Sequence, residues 1–182
     1  GCTSKNSCNS AFNGVLLNDG TGNFYERGFE FDDMFTKTTG FAYQGTPAIG
    51  LIDLDGDDDL DVVRSHVGML YSGAGMTIEE NIGNGQFRTV LHEEFCAGNT
   101  NKNDWMRNEG GSHNCWVNDF KFGDFNKDGL VDIYLDGHDA DKSDVVSDGA
   151  IYMSNGKFTY DIVTPYDKSY PLKNLKLRTT RK

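Results

Sequence analysis

Asp53-Leu54-Asp55-Gly56-Asp57-Asp58-Asp59-Leu60-Asp61 and, 71 residues later, Asp124-Phe125-Asn126-Lys127-Asp128-Gly129-Leu130-Val131-Asp132 decide how this chain is read. Each stretch places Asp or Asn at loop positions 1, 3, 5 and 9. That spacing gathers hard oxygen donors around one point, the arrangement Ca²⁺ requires with its six to eight oxygen ligands. Position 7, Asp59 or Leu130, is expected to add a backbone carbonyl. Two copies in one register argue against a pair of merely solvated Asp/Gly turns. The expectation is two Ca²⁺ sites, one held by Asp53, Asp55, Asp57, Asp59 and Asp61, the other by Asp124, Asn126, Asp128, Leu130 and Asp132.

These loops are not EF-hands, which need a bidentate Glu at position 12 and flanking helices. Position 12 is Arg64 in one copy and Leu135 in the other. The flanks alternate like strands: Ile49 and Leu51 lead into the first loop, Phe120 and Phe122 into the second. Val62-Val63 and Ile133-Tyr134-Leu135 lead out. β-Branched and aromatic residues at period two predict strand, loop, strand.

A second motif recurs. Asn18-Asp19-Gly20-Thr21-Gly22-Asn23-Phe24 matches Asn81-Ile82-Gly83-Asn84-Gly85-Gln86-Phe87, and a shortened form ends Ser154-Asn155-Gly156-Lys157-Phe158. Glycines between two apolar runs mark tight hairpin turns. Phe87 follows Asp53 by 34 residues, and Phe158 follows Asp124 by 34. Acidic loop and glycine turn therefore belong to one repeating unit, and repeats of this general size point to a propeller or solenoid.

Asp-x-(Asp/Asn)-x-Asp-x-x-x-Asp followed by Asn-x-Gly-x-Gly-x-Phe resembles the FG-GAP/VCBS repeat of integrin-like β-propellers. The resemblance implies an all-β chain of four-stranded, β-propeller-type blades. The acidic loop would join the first two strands and bind Ca²⁺; the glycine turn would join the last two. It implies residues 1–35 as a partial blade, 36–95 as a blade, 96–115 as an insertion, 116–169 as a blade, and 170–182 as the start of a further blade or a docking strand. That is an incomplete ring of two full blades and two partial ones. Asp58 departs from the pattern, standing where glycine is usual at position 6. The resemblance also implies an extracellular recognition or adhesion role, with no particular ligand.

Composition agrees. The chain has 182 residues, enough for one sizeable core, with 22 Gly and only 3 Pro, as many tight turns require. No run of 18 apolar residues exists, so no membrane-inserted helix is expected. The formal charge of −11 disfavours nucleic acid and anionic membranes as partners. The four cysteines allow three pairings. Local pairing, Cys2 with Cys8 and Cys96 with Cys115, is the simplest, and buried free thiols are the alternative. Disulfides would fit an oxidising, extracellular or cell-surface location.

Residues 96–115 are polar, rich in Asn and Gly, and lack a strand pattern. Trp105, Arg107 and His113 lie inside, and Trp116 just after. An aromatic platform ringed by polar groups suits a glycan; the alternative is that Trp105 pins the loop to the core. No Gly-x-Ser-x-Gly, His-Glu-x-x-His or P-loop occurs. Three functional classes follow: a Ca²⁺-stabilised module binding a glycan or an extracellular protein, a self-associating fibre or surface subunit whose terminal strands pair between chains, and part of a propeller-fold polysaccharide-degrading enzyme. For the last, no catalytic residue can be placed.

Overall fold

Short runs of alternating β-branched and aromatic residues, punctuated by Asp/Gly turns, pair here as antiparallel strands. The computed structural model describes residues 14–30, 43–68, 74–95, 115–139, 146–147 and 150–163, and all regular structure among them is β. The elements are β1 (Gly14–Asn18), β2 (Phe24–Glu30), β3 (Tyr43–Gly45), β4 (Ile49–Ile52), β5 (Asp61–Gly68), β6 (Ala74–Asn81), β7 (Phe87–Phe95), β8 (Cys115–Gly123), β9 (Asp132–Asp139), β10 (Val146–Ser147), β11 (Ile151–Ser154) and β12 (Tyr160–Val163).

They form three antiparallel sheets. Strands β1 and β2 make a hairpin. In the second sheet β3 and β4 lie end to end along one side of β5, and β6 and β7 follow on the other. The interruption at 46–48 is bridged by Ser65: its backbone N–H donates to the Ala48 carbonyl, and its Oγ accepts from the Ala48 N–H at 2.8 Å. In the third sheet β8 lines one side of β9, while β10 and β11 share the other and β12 pairs with β11. Both larger sheets are thus four strands wide with a simple meander order. Residues 105, 107, 113 and 170–182, and cysteines 2, 8 and 96, lie outside the described residues. Cys115 and Trp116 begin β8.

The sequence reading of the third glycine turn needs correction. Its closing bonds, Asn155 N–H to the Thr159 carbonyl and Thr159 N–H to the Gly156 carbonyl, match Ile82 to Gln86 and Gln86 to Gly83 in the second turn. The turn is therefore full length. Tyr160, not Phe158, opens the last strand, as Phe87 and Phe24 open theirs. The third position of the left-handed run, Gly85 in one turn, is Phe158 in the other; both have positive φ. Spacing was misleading because a Phe stands where glycine was expected.

The main core lies between the two four-stranded sheets. Val63, Met76 and Ile78 from one meet Val117, Phe120, Ile133, Leu135 and Tyr152 from the other, all buried. Gly50 fixes the closeness of that packing. A Cβ there would lie 2.4 Å from the Phe122 ring, so only glycine lets β4 approach β8. Ile49 and Leu51, whose alternation marks β4, project to the other side and stay exposed, while Ile52 packs on the core.

The pattern of faces repeats. Leu135 and Tyr152 occupy, in their sheet, the positions that Arg64 and Glu79 occupy in the other. There the apolar pair is replaced by a buried ion pair, Arg64 Nη2 to Glu79 Oε1 at 2.7 Å, with Glu79 Oε2 accepting from Thr89 Oγ1 at 2.5 Å. A buried ion pair is roughly interchangeable in energy with a packed apolar pair, because desolvation offsets its attraction. On the same face His66 is buried, its Nε2 2.9 Å from Thr77 Oγ1, and burial together with the Arg64 charge lowers its pKa to about 3. The hairpin meets the next sheet through Leu17, which closes on Gly85: a Cβ there would lie 2.5 Å from Leu17 Cδ1.

Candidate metal centre

Both acidic loops share a left-handed backbone at two positions, a first side chain that collects turn N–H groups, and a ninth side chain that makes the same two bonds. In each, residues 4 and 6 adopt positive φ: Gly56 and Asp58 in the first, Lys127 and Gly129 in the second. Each loop thus has one glycine where the conformation is free and one residue that bears the left-handed cost, at swapped positions. The position 1 carboxylate gathers the turn's N–H groups. Asp53 Oδ1 accepts from Gly56 N at 2.7 Å and its Oδ2 from Asp58 N at 3.1 Å. Asp124 accepts from Asp128 N at 3.0 Å and Gly129 N at 2.9 Å.

Position 9 has a structural role that the spacing alone does not disclose. Asp61 is buried, with Oδ2 accepting from Leu54 N and Oδ1 from Asn81 N, both at 2.9 Å. Asp132 repeats this with Phe125 N at 2.7 Å and Ser154 N at 2.8 Å. Each carboxylate ties the start of its loop to the end of the sheet's third strand. The sequence signal for it is an Asp directly ahead of a buried apolar run, Val62-Val63 or Ile133-Tyr134-Leu135. Tyr160 sits beside both carboxylates: burial, then the charges of Asp61 and Asp132, push its phenol pKa up. Its ring meets Tyr152 edge-on at 6.0 Å.

In the first loop the carboxylates converge. One oxygen each from Asp53, Asp55 and Asp61 lie within 4.8 Å of one another, a group that can hold a metal ion. Partial burial, then Asp57 and Asp53, raise the Asp55 pKa; burial, then Asp57, Asp55 and Asp53, raise that of Asp59. Burial is the first cause of the raised pKa of Asp61. Such crowding of negative charge at one point is what a bound cation relieves. Asp59 bears on the site through more than its carbonyl, because its side-chain Oδ1 is buried and makes no hydrogen bond. Asp57 instead bonds within the loop, its Oδ1 accepting from Asp59 N at 3.1 Å.

The second loop is closed by its own hydrogen bonds. Asn126 Nδ2 donates to Asp128 Oδ2 at 2.7 Å, Asp128 N donates to Asn126 Oδ1, and Leu130 N donates to Asp128 Oδ1 at 2.8 Å. Among the described residues, the convergence of three carboxylates is found at the first loop and not here. The sequence-predicted glycan residues Trp105, Arg107 and His113 are outside the described residues, and of Trp116 only the backbone on β8 is described. No family model, curated protein or solved structure matches the chain.

Proposed function

We propose that this chain is a calcium-stabilised extracellular recognition module built from propeller-type blades. The observation that carries it is the first acidic loop, where three Asp carboxylates converge and a fourth leaves a buried oxygen without a hydrogen bond. An all-oxygen, all-carboxylate set favours a hard cation such as Ca²⁺ or Mg²⁺, and a loop offering more than four oxygens favours the larger ion. The second loop shares the register, the backbone and the position 9 bonds of the first. We therefore assign it a second Ca²⁺ site, with Asn126 Oδ1 turned inward once its amide leaves Asp128. Two four-stranded meanders packed face to face support the propeller reading, as does the repeat in which one sheet's face meets the next. The test is thermal unfolding in calcium and in EDTA. Calcium at 100 times its dissociation constant should add about 2.7 kcal/mol per site. Identical melting in both conditions would remove calcium from the proposal.

A second reading, assembly through incomplete blades, is favoured by the hairpin. Leu16 is 49% exposed, although its counterparts Glu79 and Tyr152 are 0% and 1% exposed. Phe24, at 63%, stands where Phe87 and Tyr160 are partly buried. A second sheet laid on that face would bury both residues and extend the stacking seen between the two larger sheets. Sedimentation of the wild type and of Leu16→Asp/Phe24→Ser tests it. Both sedimenting as monomers at high concentration would end the assembly reading.

A further inference from the structure

A cleft of about 570 Å³ opens at the seam between the two larger sheets, beside the first acidic loop. Its walls come from three places: Asp55 from the loop, Glu80 and Arg88 from the paired ends of β6 and β7, and Lys157, Phe158 and Thr159 from the turn before β12. Two features show local specialisation. Phe158 takes φ +59 at the position that is Gly85 in the other sheet's turn, and Lys157 before it takes φ +49. A bulky aromatic residue in the left-handed region is costly, and such cost concentrates where a side chain has a task. The Arg88 guanidinium is held in place: its Nε donates to Glu80 Oε2 at 2.9 Å and its Nη2 bonds the same oxygen.

We propose that this cleft binds a neutral saccharide unit. Its volume is in the range of small-molecule sites. The lining charges balance, two carboxylates against one guanidinium and one ammonium, so neither a strong anion nor a cation is favoured. Donors from Arg88 and Lys157 and acceptors from Asp55 and Glu80 face one space, which a ligand dense in hydroxyls can satisfy in both senses. Phe158 adds the apolar surface on which a sugar ring's C–H face rests. Thr159 Oγ1 donates to the Gly156 carbonyl at 2.6 Å, leaving its oxygen as an acceptor. This proposal deepens the recognition reading above and moves its ligand from the 96–116 segment to the seam. Asp55 belongs to the metal loop as well, so ion and sugar would share one wall.

The experiment titrates the full chain with glucose, galactose, mannose and N-acetylglucosamine at millimolar concentration and follows backbone amide chemical shifts. At least one sugar should give saturable shifts centred on the cleft-lining residues Arg88, Lys157 and Thr159. Phe158→Gly should weaken binding about tenfold or more; because Phe158 also packs against the core, its fold is checked by wild-type amide shifts away from the cleft, and Arg88→Ala, at an exposed lining residue, should weaken binding with a melting temperature near wild type. No saturable response to any of the four sugars, or an undiminished response in Phe158→Gly, would overturn the proposal. Repeating both measurements in EDTA separates the two ideas. A calcium effect on melting with no sugar response sinks the cleft alone. A Phe158-dependent sugar response without any calcium effect supports the cleft and sinks the metal reading.

Discussion

Replacing Asp132 with alanine tests whether the ninth loop residue is a metal ligand only or also a structural tie. Its side chain is fully buried and accepts from Phe125 N at 2.7 Å and Ser154 N at 2.8 Å. Alanine leaves both donors facing a void. An unsatisfied buried donor costs about 1–3 kcal/mol, so the pair costs about 2–6 kcal/mol. Against a total stability of about 5–15 kcal/mol, that loss is a substantial fraction of the whole. Asp132→Asn gives a milder second reading: its carbonyl keeps one N–H, its amide opposes the other, and the cost falls to about 1–3 kcal/mol. The decisive condition is EDTA, where any metal contribution is gone. Urea unfolding followed by tryptophan fluorescence should show the full penalty for both variants there. Asp128→Ala, which removes an exposed carboxylate bonded only within its loop, should lose about 0.5 kcal/mol or less in EDTA and markedly more in calcium. Asp132→Ala as stable as wild type in EDTA would show that the two backbone bonds carry no stability, and the tie would be refuted.

Three further outcomes are expected. Asp58→Gly should stabilise the first loop by up to about 1 kcal/mol by removing a left-handed non-glycine residue, and Gly129→Ala should destabilise the second by about 1–2 kcal/mol, since its Cβ meets open space and only the backbone is strained; chemical denaturation showing the same sign for both would contradict the swapped-glycine account. Gly50→Ala drives a Cβ into the Phe122 ring and should cost about 1–3 kcal/mol, with Phe122→Leu in the same chain restoring part of it; a double variant no better than Gly50→Ala would place the strain elsewhere. His66 is neutral in the fold and has its pKa lowered from 6.5 to about 3 by burial and Arg64, so its contribution is intact above pH 6.5 and is lost as pH falls towards 3, at up to about 1.4 kcal/mol per pH unit. His66→Gln should flatten that part of the stability profile, and unchanged slopes between pH 6.5 and 4 would reject it.

Period-two alternation, two acidic loops and the glycine turns marked strands on either side of each acidic loop and of the first two glycine turns before any tertiary information. Asp at position 9 and Phe120, Phe122, Ile133 and Leu135 on either side of it are local signals, because strand periodicity and turn chemistry act over a few residues. Other features needed the assembled sheets. Ile49 and Leu51 alternate as core residues do, yet they face outward, and Gly50 holds the packed side because Phe122 from another sheet fills that space. The third turn was misaligned by spacing, since only its hydrogen bonds show that Phe158 stands in for a glycine. The two acidic loops share their spacing but differ at position 3, Asp55 against Asn126, so the group formed by Asp53, Asp55 and Asp61 has only two carboxylate counterparts, Asp124 and Asp132, in the second loop. What needed the assembled sheet is the anchoring of position 9: Asp61 and Asp132 are held by the N–H groups of Asn81 and Ser154, about 20 residues further along the chain. The seam cleft, with Asp55, Arg88 and Lys157 drawn from segments up to about 100 residues apart, exists only once one sheet has been laid on the other.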